Sequence, residues 1–258
     1  MAFIFFLISL LSSTIGSISG IGGGVIIKPV LDATNTLPVA TISFLSGCTV
    51  LTMSIVSLLR QRNSGVKLDA KRTTPLAIGG AIGGIIGKCI FDFTKSILSE
   101  NILGGTQAAM LFIMTFGVLL FVLYKHKLKM LNINSILVAF TVGFALGLIS
   151  AFLGIGGGPM NIAVLYFFFS MSPKSAALNS IYVIMFSQIT SLFSSILTGS
   201  IPQFSCTVLL FMMAGGVLGA LIGSAISKKV DNVKVEFCFK ILLFVIMSIN
   251  VYNMIEFF

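Results

Sequence analysis

The pentapeptide Gly20-Ile21-Gly22-Gly23-Gly24 recurs 134 positions on as Gly154-Ile155-Gly156-Gly157-Gly158, and each copy interrupts a long apolar segment at the corresponding place in its half of the chain. An unsatisfied backbone group in hydrocarbon costs several kcal/mol, so a glycine run there is tolerable only where protein or trapped water covers it. Matched interruptions in two halves point to the substrate site of a transporter.

The surroundings of these runs are lipid-like. Hydrophobic residues make up 57% of the 258 and charged residues 9%, with a mean hydropathy of +1.11, whereas roughly a quarter of the residues of a soluble domain are charged. Apolar stretches near the roughly 20 residues that a spanning helix needs run over 2–27, 37–59, 73–93, 102–124, 133–170, 175–198, 205–227 and 237–255. The expected fold is an all-α membrane protein of about eight segments forming one transmembrane domain over 1–258. Repeat 1 (1–124) and repeat 2 (133–258) are joined by the basic loop 125–132. No Lys or Arg precedes the first apolar run, and that run carries the first glycine break, so it reads as retained rather than as a secretory signal.

The four cysteines, Cys48, Cys89, Cys206 and Cys238, have no metal-like spacing, and the one histidine, His126, sits in a basic loop. Neither metal nor cofactor is expected. The net charge of +9 resides in short connections, where orientation in the bilayer accounts for it without a nucleic-acid partner.

A second correspondence supports the duplication. Gly79-Gly80-Ala81-Ile82-Gly83-Gly84-Ile85-Ile86-Gly87 matches Gly215-Gly216-Val217-Leu218-Gly219-Ala220-Leu221-Ile222-Gly223 at an offset of 136. Glycines four apart share a helix face and let another backbone approach closely, so these read as packing devices. Between the markers, Ala40-Thr41-Ile42-Ser43 aligns more weakly with Ala177-Leu178-Asn179-Ser180.

Charge constrains the topology. Eight simple crossings would put the loop with Lys228, Lys229 and Lys234 on the opposite side from 60–72 (Arg60, Arg62, Lys67, Lys71, Arg72) and 125–129 (Lys125, Lys127, Lys129), against the positive-inside rule. If the two glycine-broken segments fold back as hairpins, 1–36 starts and ends outside and 133–173 starts and ends inside. Every basic cluster is then cytoplasmic, while 199–204 and the tail with Glu256 face out. Residues 133–170 as one straight helix would be about 57 Å long, nearly twice the hydrocarbon core of about 30 Å. The hairpins make the halves inverted repeats; two kinked single crossings are the alternative.

With its paired Gly-x-Gly-Gly-Gly segments, each followed by a small-residue and Ser/Thr stretch and then a glycine-spaced helix, the chain resembles the TauE/SafE sulfite exporter family. That family is also called the toluene sulfonate uptake permeases. The likeness covers essentially the whole chain and implies movement of sulfite, sulfonates or related organosulfur anions across the cell membrane. Pro29 matches a proline common in the family beyond the glycines. In the second half Ala163 takes that place and Pro159 directly follows the glycines, a departure from two-fold equivalence.

Each break is followed by a short apolar stretch, Val25 to Val30 and Pro159 to Phe169, whose helical N-terminus would face the midplane. Free N–H groups and the positive helix pole make such an end an anion site, and glycine permits close approach. The candidate binding residues are Gly22, Gly23, Gly24 and Val25 in the first half, with Gly156, Gly157, Gly158, Pro159, Met160 and Asn161 in the second. Thr41, Ser43, Asn179 and Ser180 on the following helices add short neutral donors. Gln107 and Gln188 are further intramembrane polar groups. The alternative for all of these is kink formation and helix packing. Lys28 is either the counter-charge for an anion or a cation snorkelling to the interface, while Lys88 reads as snorkelling.

All seven acids, Asp32, Asp69, Asp92, Glu100, Asp231, Glu236 and Glu256, fall in connections or segment ends, so no carboxylate relay is legible. The expectation is export driven by the negative-inside potential, worth about 2.3 kcal/mol per charge per 100 mV, rather than proton-coupled uptake. No enzyme is expected. Gly87-Lys88-Cys89 has Ile82 where a P-loop needs its first glycine and Cys in place of the hydroxyl, and Val25 and Pro159 stand where a dinucleotide-binding loop needs its last glycine. A passive anion channel or a membrane binding or scaffold protein is the main rival.

Overall fold

The structure, a computed structural model, describes residues 2–61, 66, 68–155 and 157–257. Arg62 and Lys67 of the basic loop, Gly156 of the second break and the side chain of His126 lie outside the described residues. Among the described residues the chain forms α1 (Ala2–Ser19), α2 (Gly24–Asp32), α3 (Val39–Gln61), α4 (Ala70–Ile97), α5 (Glu100–Tyr124), α6 (Ile136–Leu153), α7 (Gly158–Phe169), α8 (Pro173–Leu197), α9 (Cys206–Lys229) and α10 (Asn232–Phe257), with a 3-10 turn at Lys125–Lys127 and no strand. Eight of these helices are long and apolar enough to cross a membrane; the short ones, α2 and α7, are those that follow the glycine breaks.

The apolar stretch 133–170 is accommodated by a reversal. The N–H groups of Leu131 and Ile133 donate to the carbonyls of Phe167 and Phe168 at 2.8 and 2.9 Å, and Ser170 Oγ donates to the Leu131 carbonyl. The start of the segment therefore lies beside its end, and α6 and α7 form a hairpin. Gly154, at φ +68°, closes α6 in the left-handed conformation that a glycine adopts at little cost. The first half doubles back as well. Gly23 at the start of α2 lies against Ser13 late in α1, while Ile27 and Leu31 further along α2 cluster with Phe5 near the start of α1.

Polar contacts distinguish the two ends of the bundle. At one end, Val39 N donates to Glu100 at 2.7 Å, Thr41 Oγ1 to the Gln203 carbonyl at 3.1 Å, and Asn35 Nδ2 to Glu256 at 3.3 Å. At the other, Lys125 pairs with Glu236, Lys174 N donates to Asn232 at 3.1 Å, and Arg72 reaches the Phe169 carbonyl.

The two glycine-spaced helices pack across the halves. On α4, Gly79, Gly83 and Gly87 face the carbonyls of Phe140, Phe144 and Leu148 on α6 so closely that any Cβ would collide with them. On α9, Gly215, Gly219 and Gly223 face Phe6, Leu10 and Thr14 of α1, where a Cβ on Gly215 would stand 2.6 Å from the Phe6 carbonyl oxygen. Each half's glycine helix thus seats the other half's hairpin. The small-residue reading of these positions holds, and its reason is backbone approach, the main source of helix association where lipid removes the hydrophobic drive.

Candidate functional site

The two breaks touch. A Cβ built on Gly24 would stand 2.8 Å from the Ile155 carbonyl oxygen, and one on Gly158 would collide with Val25. The starts of α2 and α7 are therefore neighbours at the centre of the bundle. The chain reverses there through backbone that L side chains rarely adopt, at φ +82° for Gly22 and +100° for Gly157. The first N–H groups of a helix have no intrahelical acceptor, so two positive helix poles converge at this contact.

Packing at the contact itself is tight, and the open space is displaced to one side. A cavity of about 30 Å³ is lined by Ser43 and Gly47 of α3, Ser150 and Gly154 at the end of α6, Lys88 of α4 and Gln188 of α8. It has room for about two waters and is too small for an anion of several heavy atoms. Four buried side-chain atoms with no hydrogen-bond partner lie at the cavity or the contact: the Ser43 and Ser150 hydroxyls line the cavity, Ser46 Oγ lies against Gly24, and Asn161 Oδ1 lies beside Gly157. The Ser180 and Ser187 hydroxyls of α8 are also buried without a partner. Buried polar groups are paired in the great majority of cases, so these oxygens are free to accept or donate to a group that enters beside them; other unpartnered atoms, among them Ser9, Ser13 and Ser54, lie elsewhere in the bundle.

The sequence-derived candidates divide into two groups. Gly22, Gly23, Gly24, Val25, Gly157, Gly158 and the buried Pro159 form the crossing, with Met160 half-buried in the first turn of α7. Asn161 folds back against Gly157, and Ser43 lies against Gly154. Thr41 and Asn179 belong to the framework instead. Thr41 ties α3 to the Gln203 segment. Asn179 accepts from Thr73 Oγ1 at 2.6 Å and from Asp69 N at 3.1 Å and donates to the Ser175 carbonyl, which fastens the start of α4 to α8. Gln107 Nε2 donates to the Phe152 carbonyl at 2.6 Å, tying α5 to α6.

Two charge expectations, the snorkelling of Lys28 and of Lys88, need correction. Lys28 does not snorkel, since it is 2% exposed, and its ammonium donates to Asp32 Oδ2 at 2.6 Å. Asp32 falls at a segment end as expected, being the last residue of α2, but it is 6% exposed and its other oxygen has no partner. Lys88 does not simply reach for an interface; it lines the cavity, pairs with Asp92 at 2.8 Å and stands over the Phe91 ring. Both pairs are i,i+4 on one helix, so each lysine is neutralised by its own chain.

Sequence reasoning did not single out Ser46, which lies against Gly24, or Ser150, which lines the cavity. Ser150 lies one turn before Gly154, a position that could have been picked out, but serine is frequent throughout these helices and spacing alone does not separate one that faces the cavity from one that bonds its own backbone.

A bundle of apolar helices with converging helix starts and unpartnered polar groups at its buried midpoint has the make-up of a multi-pass membrane transporter. Over residues 5–250 the chain matches the sulfite exporter TauE/SafE family, and it belongs to that family. It is 22% identical over 269 aligned positions to the "Probable membrane transporter protein YunE" of Bacillus subtilis (strain 168), with 93% of each chain covered. No solved structure matches it. Membership of this family and the eight candidate spans make the chain a multi-pass protein of the cell membrane.

Proposed function

We propose that the protein is a secondary carrier of a small anion, sulfite or an organosulfonate, which works by alternating access around the crossing of the two breaks. The observation that carries this reading is the contact of Gly24 with Ile155 and of Gly158 with Val25, which brings two helix N-termini together. An anion there gains backbone N–H donors and two helix poles in place of water, and the unpartnered Ser43, Ser150 and Asn161 oxygens stand ready around it. The family's name, sulfite exporter, supports the substrate class. No catalytic step is assigned.

In this reading repeat 1 (1–124) and repeat 2 (133–258) are inverted. The α1–α2 hairpin returns to the end marked by Glu100 and Glu256, and the α6–α7 hairpin to the end marked by Lys125 and Lys174. The positive-inside rule makes the second end cytoplasmic. Since the crossing is closed, an anion enters only when the breaks part, which favours a carrier over a permanently open channel.

The test is counterflow in proteoliposomes holding the purified protein, with sulfite, methanesulfonate and thiosulfate as probes. A carrier shows saturable uptake stimulated by the same anion on the far side, and Asn161→Ala weakens it. Single-channel currents without such stimulation would establish the channel, and no flux of any probe would leave a binding or scaffold role.

A further inference from the structure

Asp32 sits where two environments meet. On one side its Oδ2 holds the Lys28 ammonium at 2.6 Å, and Cε of that lysine lies 3.3 Å from where a Cβ on Gly154 would be, beside Ser43, so the cation stands next to the second break. On the other side Asp32 lines a vestibule of about 390 Å³ at the Glu100 end of the bundle. Its Oδ1 is buried and has no partner, although the residue is 6% exposed. Two carboxylates face the same vestibule, Glu100 from α5 and Glu256 from α10; α3 contributes only Val39 and the neutral loop ahead of it, and α2 itself supplies Lys28.

We infer that Asp32 is a proton-binding site that couples proton movement to anion movement, by releasing Lys28 to the anion when it is protonated. This inference rests on the transport reading above. With Asp32 ionised, the ammonium is already satisfied, and an anion brought beside it would leave the carboxylate buried without a counter-charge. Such an uncompensated buried charge is strongly disfavoured. A proton arriving from the vestibule onto Oδ1 removes that conflict: the carboxyl becomes neutral, the Lys28 ammonium keeps all its protons, and it turns from Oδ2 to the anion beside Gly154. The carboxylates of Glu100 and Glu256 draw cations, protons included, toward the vestibule. Proton and anion then bind together and travel together, so a monovalent anion moves without net charge. Under this coupling the driving force is the proton gradient, in contrast to the potential-driven export expected from the sequence.

The test uses methanesulfonate, whose own charge does not change near neutral pH. In weakly buffered detergent solution the wild-type protein takes up close to one proton per anion bound, and the apparent affinity rises by up to tenfold for each pH unit lowered. In proteoliposomes held at zero voltage, an acid exterior drives accumulation. Asp32→Asn loses both the pH dependence of anion binding and the accumulation. Should that variant fold poorly because Lys28 is left unpaired, Lys28→Met/Asp32→Asn removes both charges and shows weak, pH-independent binding. Binding without proton uptake, or proton uptake that persists in either variant, overturns the coupling while leaving the carrier intact. An absence of any anion binding or flux overturns the carrier reading and the coupling with it.

Discussion

Gly24 and Ile155 lie 131 positions apart in the chain, yet the backbone of one is so close to the carbonyl of the other that a methyl group would not fit between them. Gly24→Ala puts its Cβ 2.8 Å from that oxygen and 2.9 Å from Val50 Cγ2. Overpacking of this kind costs about 1–3 kcal/mol, and because it forces the breaks apart, flux should fall by at least about tenfold. Counterflow and thermal unfolding of the purified variant check both numbers.

The interlocked glycine faces make a sharper comparison. Gly83 meets the Phe144 carbonyl, whereas Gly117 in the middle of α5 has open space, with nothing within 4 Å of where a Cβ would stand. Gly83→Ala should lower the melting temperature. Gly117→Ala should leave it unchanged or raise it, since alanine is favoured over glycine in a helix interior by up to about 1 kcal/mol. Equal effects of the two substitutions would contradict the packing described for α4 and α6.

Asn161 and Asn179 are both buried asparagines with opposite prospects. Asn161 Oδ1 has no partner, so Asn161→Ala should change stability little and raise the KM for the transported anion. Asn179 bonds to Asp69, Thr73 and Ser175. Its replacement by alanine leaves buried groups unpaired at about 1–3 kcal/mol and should appear mainly as a lower melting temperature and lower yield.

Removing only the cation of the buried pair is the most damaging change expected in α2. Lys28→Ala leaves Asp32 buried without a counter-charge, a loss of about 3–5 kcal/mol, whereas Lys28→Met/Asp32→Asn should recover much of it. Denaturation of the two variants side by side, in the same detergent, decides the point.

What could be read from residues alone was what local backbone physics determines. Apolar runs of spanning length marked the eight long helices, because lipid admits no other use for them. The glycine pentapeptides marked the ends of α1 and α6, because no regular helix continues through backbone of positive φ. The length of 133–170 already required a bend or a reversal, with the basic loops favouring the reversal over a kinked crossing, and the four-residue spacing of Gly79, Gly83 and Gly87 foretold a close backbone neighbour.

Which neighbour it would be was not legible. That α4 seats α6 and α9 seats α1, so that each half holds the other's hairpin, depends on how the helices share one volume, and no period in the chain records it. The same holds for the charges: Asp32 reads as the end of a segment, but only the packing of α2 shows that it is buried on Lys28, and Lys88 reads as an interface anchor although α4 turns it to the cavity. Pattern along a segment determines where helices begin, end and bend. Only packing between segments decides which polar groups lose water together, and the chemistry of the site follows from that shared desolvation.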